Sequence, residues 1–440
     1  SSDQDGVSWR ILLEDMEVIL KAITQSEQVA LGTKSSSYRQ WYEALEQYGQ
    51  SSAQKQLAYW QTAHANYQPL STDTDYRAEV LNSQTTSYQS VLNKEQTSKL
   101  LQEVSKVYHT EINDLLLSAL ATAVTQWQKT TKVNIGLEGH GREHLNDKID
   151  LNRTVGWFTS LYPVHLNLEQ LEDTSQRIKG VKEQLRAIPD KGLGYGVLKY
   201  IGKQASLQGE DPWDIVFNYL GQLDTAVSGS KWFKAANEPQ GQMISPSHKV
   251  GEKLSVNGYI ESGELKLTWG YSPLHYHTQS IEDLAKAYIE ALNDIITHCL
   301  NQKDKVSLTP SDYGLAQEVG FKELDAFLDG PQNLRDRIEG MYRLSGLQQG
   351  MLFHELVNEH SAAYTEQFKA DLLNLDILRL KESFNQLTKN HEILRNGFYH
   401  DSFQIPIQCV FKQVEVPFIL HDLSKLNKLQ QGKELASFEA

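Results

Sequence analysis

The stretch HTEINDLLLSALATAVTQWQKTTKVNIGLEGHGRE, residues 109–143, constrains the fold more than any other part of the chain. Its first part has a polar start and then apolar residues on every side of a helix, a pattern that is stable only when other elements surround it. Its second part alternates Val133, Ile135 and Leu137 as a strand does, and the glycines that follow end the strand. A buried helix that runs into an apolar strand belongs to a layered, mixed architecture.

The rest of the chain continues that alternation. Residues 6–23 carry Val7, Ile11, Leu12, Met16, Ile19, Leu20 and Ile23 at helical spacing, with Asp5 as the expected N-cap. Aromatic helices are expected at YRQWYEALEQY and KQLAYWQTAH, and strands at TSYQSVLN, WFTSLYPVHLN, WDIVFNYLG, KLSVNGYI and ELKLTWGYS. The helix SIEDLAKAYIEALNDIITHCL closes this part. After Leu300 the composition changes. Residues 304–337 are polar, carry proline and glycine, and read as a tethered linker. A new unit over 338–440 opens at GMYRLSGLQQGMLFHEL and continues through helix LDILRLKESFNQLTKNHEILR to strands near NGFYH and IPIQCVFKQ.

Composition limits what such a chain does. With 440 residues it has room for two or three units of ordinary domain size, and 40% apolar with 22% charged residues is typical of a globular protein. The net charge of −14 is spread along the chain, and no clustered basic face is present to bind nucleic acid. No apolar run approaches the roughly 20 residues that span a bilayer. Residues 1–5 are polar and lack the basic flank of a secretory signal. Cys299 and Cys409 stand far apart, as expected for buried thiols of a reducing cytoplasm.

The ordered series DGVSWRILLEDM, LEGHGRE, TVGWFTSLYPV, KGLGYGVLKY, FNYLGQLD and WGYS resembles the epimerization domain of non-ribosomal peptide synthetases. The resemblance covers residues 5–300, and 1–303 is taken as that domain's C-terminal lobe. Residues 338–440 resemble the N-terminal part of a condensation domain, through IEGMYRLSGLQQGMLFH and NHEILRNGF, although Arg343 and Gly346 stand where that family usually has proline. The resemblance implies an α/β (α+β) fold of chloramphenicol-acetyltransferase-like lobes, incomplete at both ends. Domains of this superfamily place the motif HHxxxDG between two lobes. Only its end is present, as Asp5 and Gly6, with Ser1 at the position of the second histidine.

Epimerization requires removal of an α-hydrogen from a thioester, stabilisation of the enolate and return of a proton to the opposite face. Two groups facing each other across the substrate do this when their pKa values are tuned toward neutrality. Glu138 is the candidate for one of them. A strand-end Glu is more often solvated, and it is the motif EGHGRE that assigns it to catalysis. His140 lies two residues on and would share its face if the strand persists; it either orients the carboxylate or forms a hydrogen-bonded wall. Arg142 is expected to pair with Asp5 as a structural ion pair. Asn218 and Tyr219 are candidates for the substrate tunnel, the tyrosine as a donor to the enolate oxygen or as a buried, satisfied hydroxyl.

Trp157 and Phe158 read as core. GLGYG lacks the spacing of a nucleotide loop, and His275 with His277 has no third ligand, so no metal site is expected. The resemblance implies no covalently bound cofactor. The substrate would arrive on the 4'-phosphopantetheine arm of a peptidyl carrier domain, with adenylation and condensation domains as neighbours. The opposing reading is a catalytically inactive inter-domain piece or docking platform lacking both motif histidines.

Overall fold

The computed structural model describes residues 6–222, 230–234, 238, 241, 243–302, 305–357, 364 and 366–439. The chain divides into two compact units, Ser1–Thr309 and Pro310–Ala440.

In chain order the first unit contains α1 (Gly6–Thr24), α2 (Tyr38–Gln50), α3 (Leu57–Ala65), β1 (Thr86–Leu92), α4 (Ile112–Gln128), β2 (Lys132–Gly139), β3 (Ser160–Asn167), α5 (Thr174–Arg186), β4 (Ile215–Gln222), β5 (Leu254–Glu261), β6 (Glu264–Tyr271) and α6 (Thr278–Asn301), joined by loops, by shorter helices such as Lys94–Gln102, and by a small ladder of Val80–Leu81 with Lys249–Val250. The six strands form one mixed sheet in the order β1-β6-β5-β4-β2-β3. Strand β4 runs parallel to both β2 and β5, and the remaining pairs are antiparallel.

Alternation along the strands sets the two faces of this sheet. In β5, Leu254, Val256, Gly258 and Ile260 are buried while Ser255, Asn257, Tyr259 and Glu261 are half-buried. Strand β6 repeats the pattern, with Leu265, Leu267, Trp269 and Tyr271 inward. The buried side meets helices: Trp269 packs edge-on against Tyr288 of α6 with ring centroids 5.5 Å apart, and the Tyr288 hydroxyl donates to the Leu116 carbonyl of α4 at 3.2 Å. Helix α4 takes the central place because Leu115, Leu116, Leu117, Leu120 and Val124 are all buried. Each such side chain contributes about 1.5–3 kcal/mol. Its N-terminus is satisfied by Asp114, which accepts two bonds of 2.8 Å from the Arg186 guanidinium and one of 2.7 Å from the Glu111 N–H.

Helix α1 buries Ser8 and Ile11 but leaves Trp9, Met16, Val18 and Ile23 exposed. The expected N-cap Asp5 lies outside the described residues. Of the pair read as core, Phe158 is buried and Trp157 is exposed.

The second unit has a three-stranded antiparallel sheet and its own small core. Its elements are α7 (Phe321–Leu328), β7 (Ile338–Arg343), α8 (Gly346–Val357), α9 (Ile377–Asn390), β8 (Asn396–Tyr399), β9 (Ile407–Phe411) and α10 (Lys428–Glu439), with strand order β8-β9-β7. The segment expected as a linker is folded from residue 310 onward. It supplies Leu315, Val319, Leu324, Leu328 and Leu334 to a cluster completed by Ile338, Met341, Ile407 and Cys409. Phe321, Leu324 and Leu328 stand at helical spacing in α7, but that stretch is short, and these residues become core because the later strands supply their partners. By contrast α8 has no buried residue, and Leu347 and Phe353 are exposed.

Candidate active site

Strand β2 carries the candidate base at its C-terminal end. Its register with β4 pairs Ile135 with Ile215, Gly136 with Val216 and Leu137 with Phe217. Leu137 and Phe217 are buried, and the period of two puts Gly136 and Glu138 on the other face. Gly136 is required there because a Cβ at this position would lie 2.7 Å from the Trp213 indole. Trp213 therefore covers the strand one pleat before Glu138. The Glu138 side chain is half-buried, and its carboxyl is raised from the ordinary range by burial first and then by the negative charge of Glu252. Among the described residues no group donates a hydrogen bond to it. A carboxyl that is partly desolvated, unpaired and pushed upward in pKa is suited to moving a proton.

The loop after β2 is held by Arg142. Its guanidinium donates to the Leu151 and Thr154 carbonyls at 2.8 and 2.9 Å and to the Ser8 hydroxyl of α1 at 3.0 Å, and it stacks 4.0 Å above the Phe158 ring. Asp5, the expected partner, lies outside the described residues. Gly141 makes this path feasible: its φ is +67°, and a Cβ would sit 1.6 Å from the Phe158 carbonyl oxygen.

Strand β2 ends at Gly139, so the condition under which Glu138 and His140 would share a face lapses. His140 is exposed. Its Nδ1 accepts the Arg142 backbone N–H at 3.0 Å, and its Nε2 lies 3.2 Å from Glu143 Oε1. In the neutral ring the proton is thus on Nε2, directed at Glu143. Glu143 Oε2 is in turn 3.8 Å from Lys191 Nζ.

Asn218 and Tyr219 stand side by side on β4 and face opposite ways. Asn218 is half-buried and in register with Asn257, on the face that carries Glu138. Tyr219 packs against the main core, with its Cδ2 3.6 Å from the Cβ position of Gly258, and burial raises its hydroxyl pKa.

Three residues of this site were missed by sequence reasoning: Trp213, Glu252 and Glu143. Glu143 ends the EGHGRE motif and had a local signal. Trp213 and Glu252 had none, because their proximity to β2 arises from the strand order.

A family model described as Condensation domain matches residues 4–313 and 338–439. The chain is 37% identical over 441 residues to a linear gramicidin synthase of Brevibacillus parabrevis, and 35% identical over 450 residues to bacitracin synthase 1 of Bacillus licheniformis. In both cases 99% of this chain is aligned, whereas it spans only 8% of each of those proteins. Among solved structures, the epimerization domain from the third module of tyrocidine synthetase B is 39% identical with a TM-score of 0.62, covering 68% of this chain and 67% of that one. The first condensation domain of the calcium-dependent antibiotic synthetase shares the fold at 14% identity and a TM-score of 0.50, over 69% of this chain and 64% of that one.

Proposed function

The chain belongs to the Condensation domain family, and from that premise we propose that it is part of a non-ribosomal peptide synthetase whose first unit inverts the α-carbon of an aminoacyl or peptidyl thioester. The observation that carries this reading is Glu138, a half-buried carboxyl with a raised pKa and no donor among the described residues. The likeness to a solved epimerization domain at 39% identity supports it.

In this mechanism the α C–H bond breaks, its proton goes to the Glu138 carboxylate, and the electron pair moves into the thioester as an enolate. A second acid on the far side of the substrate then delivers a proton to the α-carbon, which inverts it. Raising the Glu138 pKa brings it closer to the weakly acidic α-carbon and makes it a better base. Asn218 shares its face, His140 forms a wall tied to Glu143, and Arg142 holds the loop in place. Tyr219 serves as packing behind the site.

The substrate arrives on the phosphopantetheine arm of a peptidyl carrier domain, with adenylation and condensation domains as neighbours in the cytoplasm. Residues 1–303 are the epimerization part and 338–440 the opening part of a condensation domain, and of the segment between them 310–337 belongs to the second compact unit. No helix among the described residues is long and apolar enough to cross a membrane.

The test is solvent deuterium incorporation at the α-carbon of a carrier-tethered thioester. In a complete epimerization domain, incorporation above the carrier-alone background is expected, and Glu138→Gln is expected to remove it without loss of fold. Full incorporation in that variant would remove Glu138 from the mechanism.

A further inference from the structure

The face of the sheet that carries Glu138 is crossed by a row of neutral polar side chains. Carrying the pairing Leu137↔Phe217 one residue further sets Glu138 beside Asn218. Asn218 is in register with Asn257, Asn257 with Thr268, and Thr268 with Gln89. All lie on the same face, because pairing partners in a sheet share a side. Asn218, Asn257 and Thr268 are half-buried, and none of the three makes a side-chain hydrogen bond with any described residue. Gln89, at the far end, donates to the Tyr259 hydroxyl at 3.0 Å.

Partly buried amides and hydroxyls left without partners are costly unless water or a ligand completes them. Their chemistry defines the ligand. Apart from Glu138 the row carries no charge, and the nearby Lys266 is neutralised by Glu261 at 2.5 Å. Carboxamides both donate and accept, and so match peptide groups, which do the same. The length of the row decides how much peptide is involved. At the usual spacing of strands, Thr268 is about 14 Å from Glu138 and Gln89 about 19 Å. A single aminoacyl group at Glu138 would reach no further than Asn218, whereas about 14 Å is the span of roughly four extended residues.

We propose that Asn218, Asn257 and Thr268 form a track for the peptide chain upstream of the reacting residue, so that the substrate class is a peptidyl thioester and not an aminoacyl one. This rests on the reading of Glu138 as the proton-transferring group, which places the α-carbon at one end of the row. Asn257 and Thr268 are positioning residues.

The test uses the full chain and non-hydrolysable thioether probes: one aminoacyl-pantetheine and one tetrapeptidyl-pantetheine with the same terminal residue. The tetrapeptidyl probe is expected to bind about tenfold more tightly, the sum of two or three modest hydrogen bonds. Asn257→Ala is expected to weaken it about three- to tenfold. Thr268→Val keeps the shape and removes only the hydroxyl's hydrogen bonds, and is expected to weaken it about threefold. Neither change should alter binding of the aminoacyl probe, and circular dichroism confirms folding. Equal affinity for the two probes, no binding of either, or equal losses on both probes in the variants would overturn the track. The reading of Glu138 is judged separately by deuterium exchange, so peptidyl-selective binding without exchange would leave the track in place and remove the reaction.

Discussion

Two carboxyl groups of the first unit are pushed up in pKa chiefly by burial, and they differ in what surrounds them. Asp114, at the start of α4, is 1% exposed and held by both Arg186 nitrogens and the Glu111 N–H, which pull its pKa back down. Glu138, at the end of β2, is half-buried with the like charge of Glu252 nearby and no donor among the described residues. The first arrangement anchors a helix against the core; the second leaves a proton to be moved. Burial alone therefore does not single out a candidate for proton transfer, whereas burial without compensation does.

Amidating each group in turn separates the two roles most clearly. Glu138→Gln should lower α-hydrogen exchange by about 10²–10⁴-fold, the usual contribution of a positioned proton-transfer group, and leave the unfolding midpoint in denaturant undiminished. Asp114→Asn should do the reverse. It removes the buried anion of Arg186, with Glu111 still 3.9 Å away, and should cost about 3 kcal/mol, the low end for a broken buried pair because Arg186 is 29% exposed. Exchange per folded molecule should be unchanged. If Asp114→Asn stopped exchange in folded protein, or Glu138→Gln unfolded it, the two roles would have to be exchanged.

A smaller effect is expected at the turn between Glu138 and the Arg142 anchor. Gly141→Ala places a Cβ against the Phe158 carbonyl at a left-handed φ and should lower stability by about 2 kcal/mol, read as a lower melting temperature. The smallest effects concern pH. Glu252→Gln removes one of the two causes that raise Glu138, so the acid limb of the exchange profile should move to lower pH. Because the folded pKa of Glu138 lies above its unfolded value, its contribution to stability is greatest below the unfolded pKa and is lost as pH rises through the folded one. Glu138→Gln should accordingly be slightly more stable than the parent at neutral pH, and the difference should vanish in acid when the two are compared by denaturant unfolding.

Much of the first unit was legible in the sequence. The helix at 112–128, the strand at 132–139 and the hairpin of 254–261 with 264–271 follow from periodicity, because each element must bury one side or all of itself. Glu138 was legible through its motif, at the point where an apolar strand meets glycines. The folded segment from 310 onward was not, since its amphipathic stretch, Phe321–Leu328, is short and its apolar residues gain meaning only against strands that come later. The opposite facing of Asn218 and Tyr219 was implicit in the strand period and needed the register to say which of them joined Glu138.

The sequence by itself determined the strands of the first unit's large sheet and its longest helices, the apolar surroundings of β2, and the residue types able to move a proton, because these depend on local pattern and side-chain chemistry. Only the tertiary structure decided that Trp213 and Glu252 approach β2 and that Asn257 and Thr268 line up with Glu138. The physical reason is that these proximities arise from the order β1-β6-β5-β4-β2-β3. That order brings residues 213, 252, 257 and 268 up to residues 136–138, and no local period encodes it.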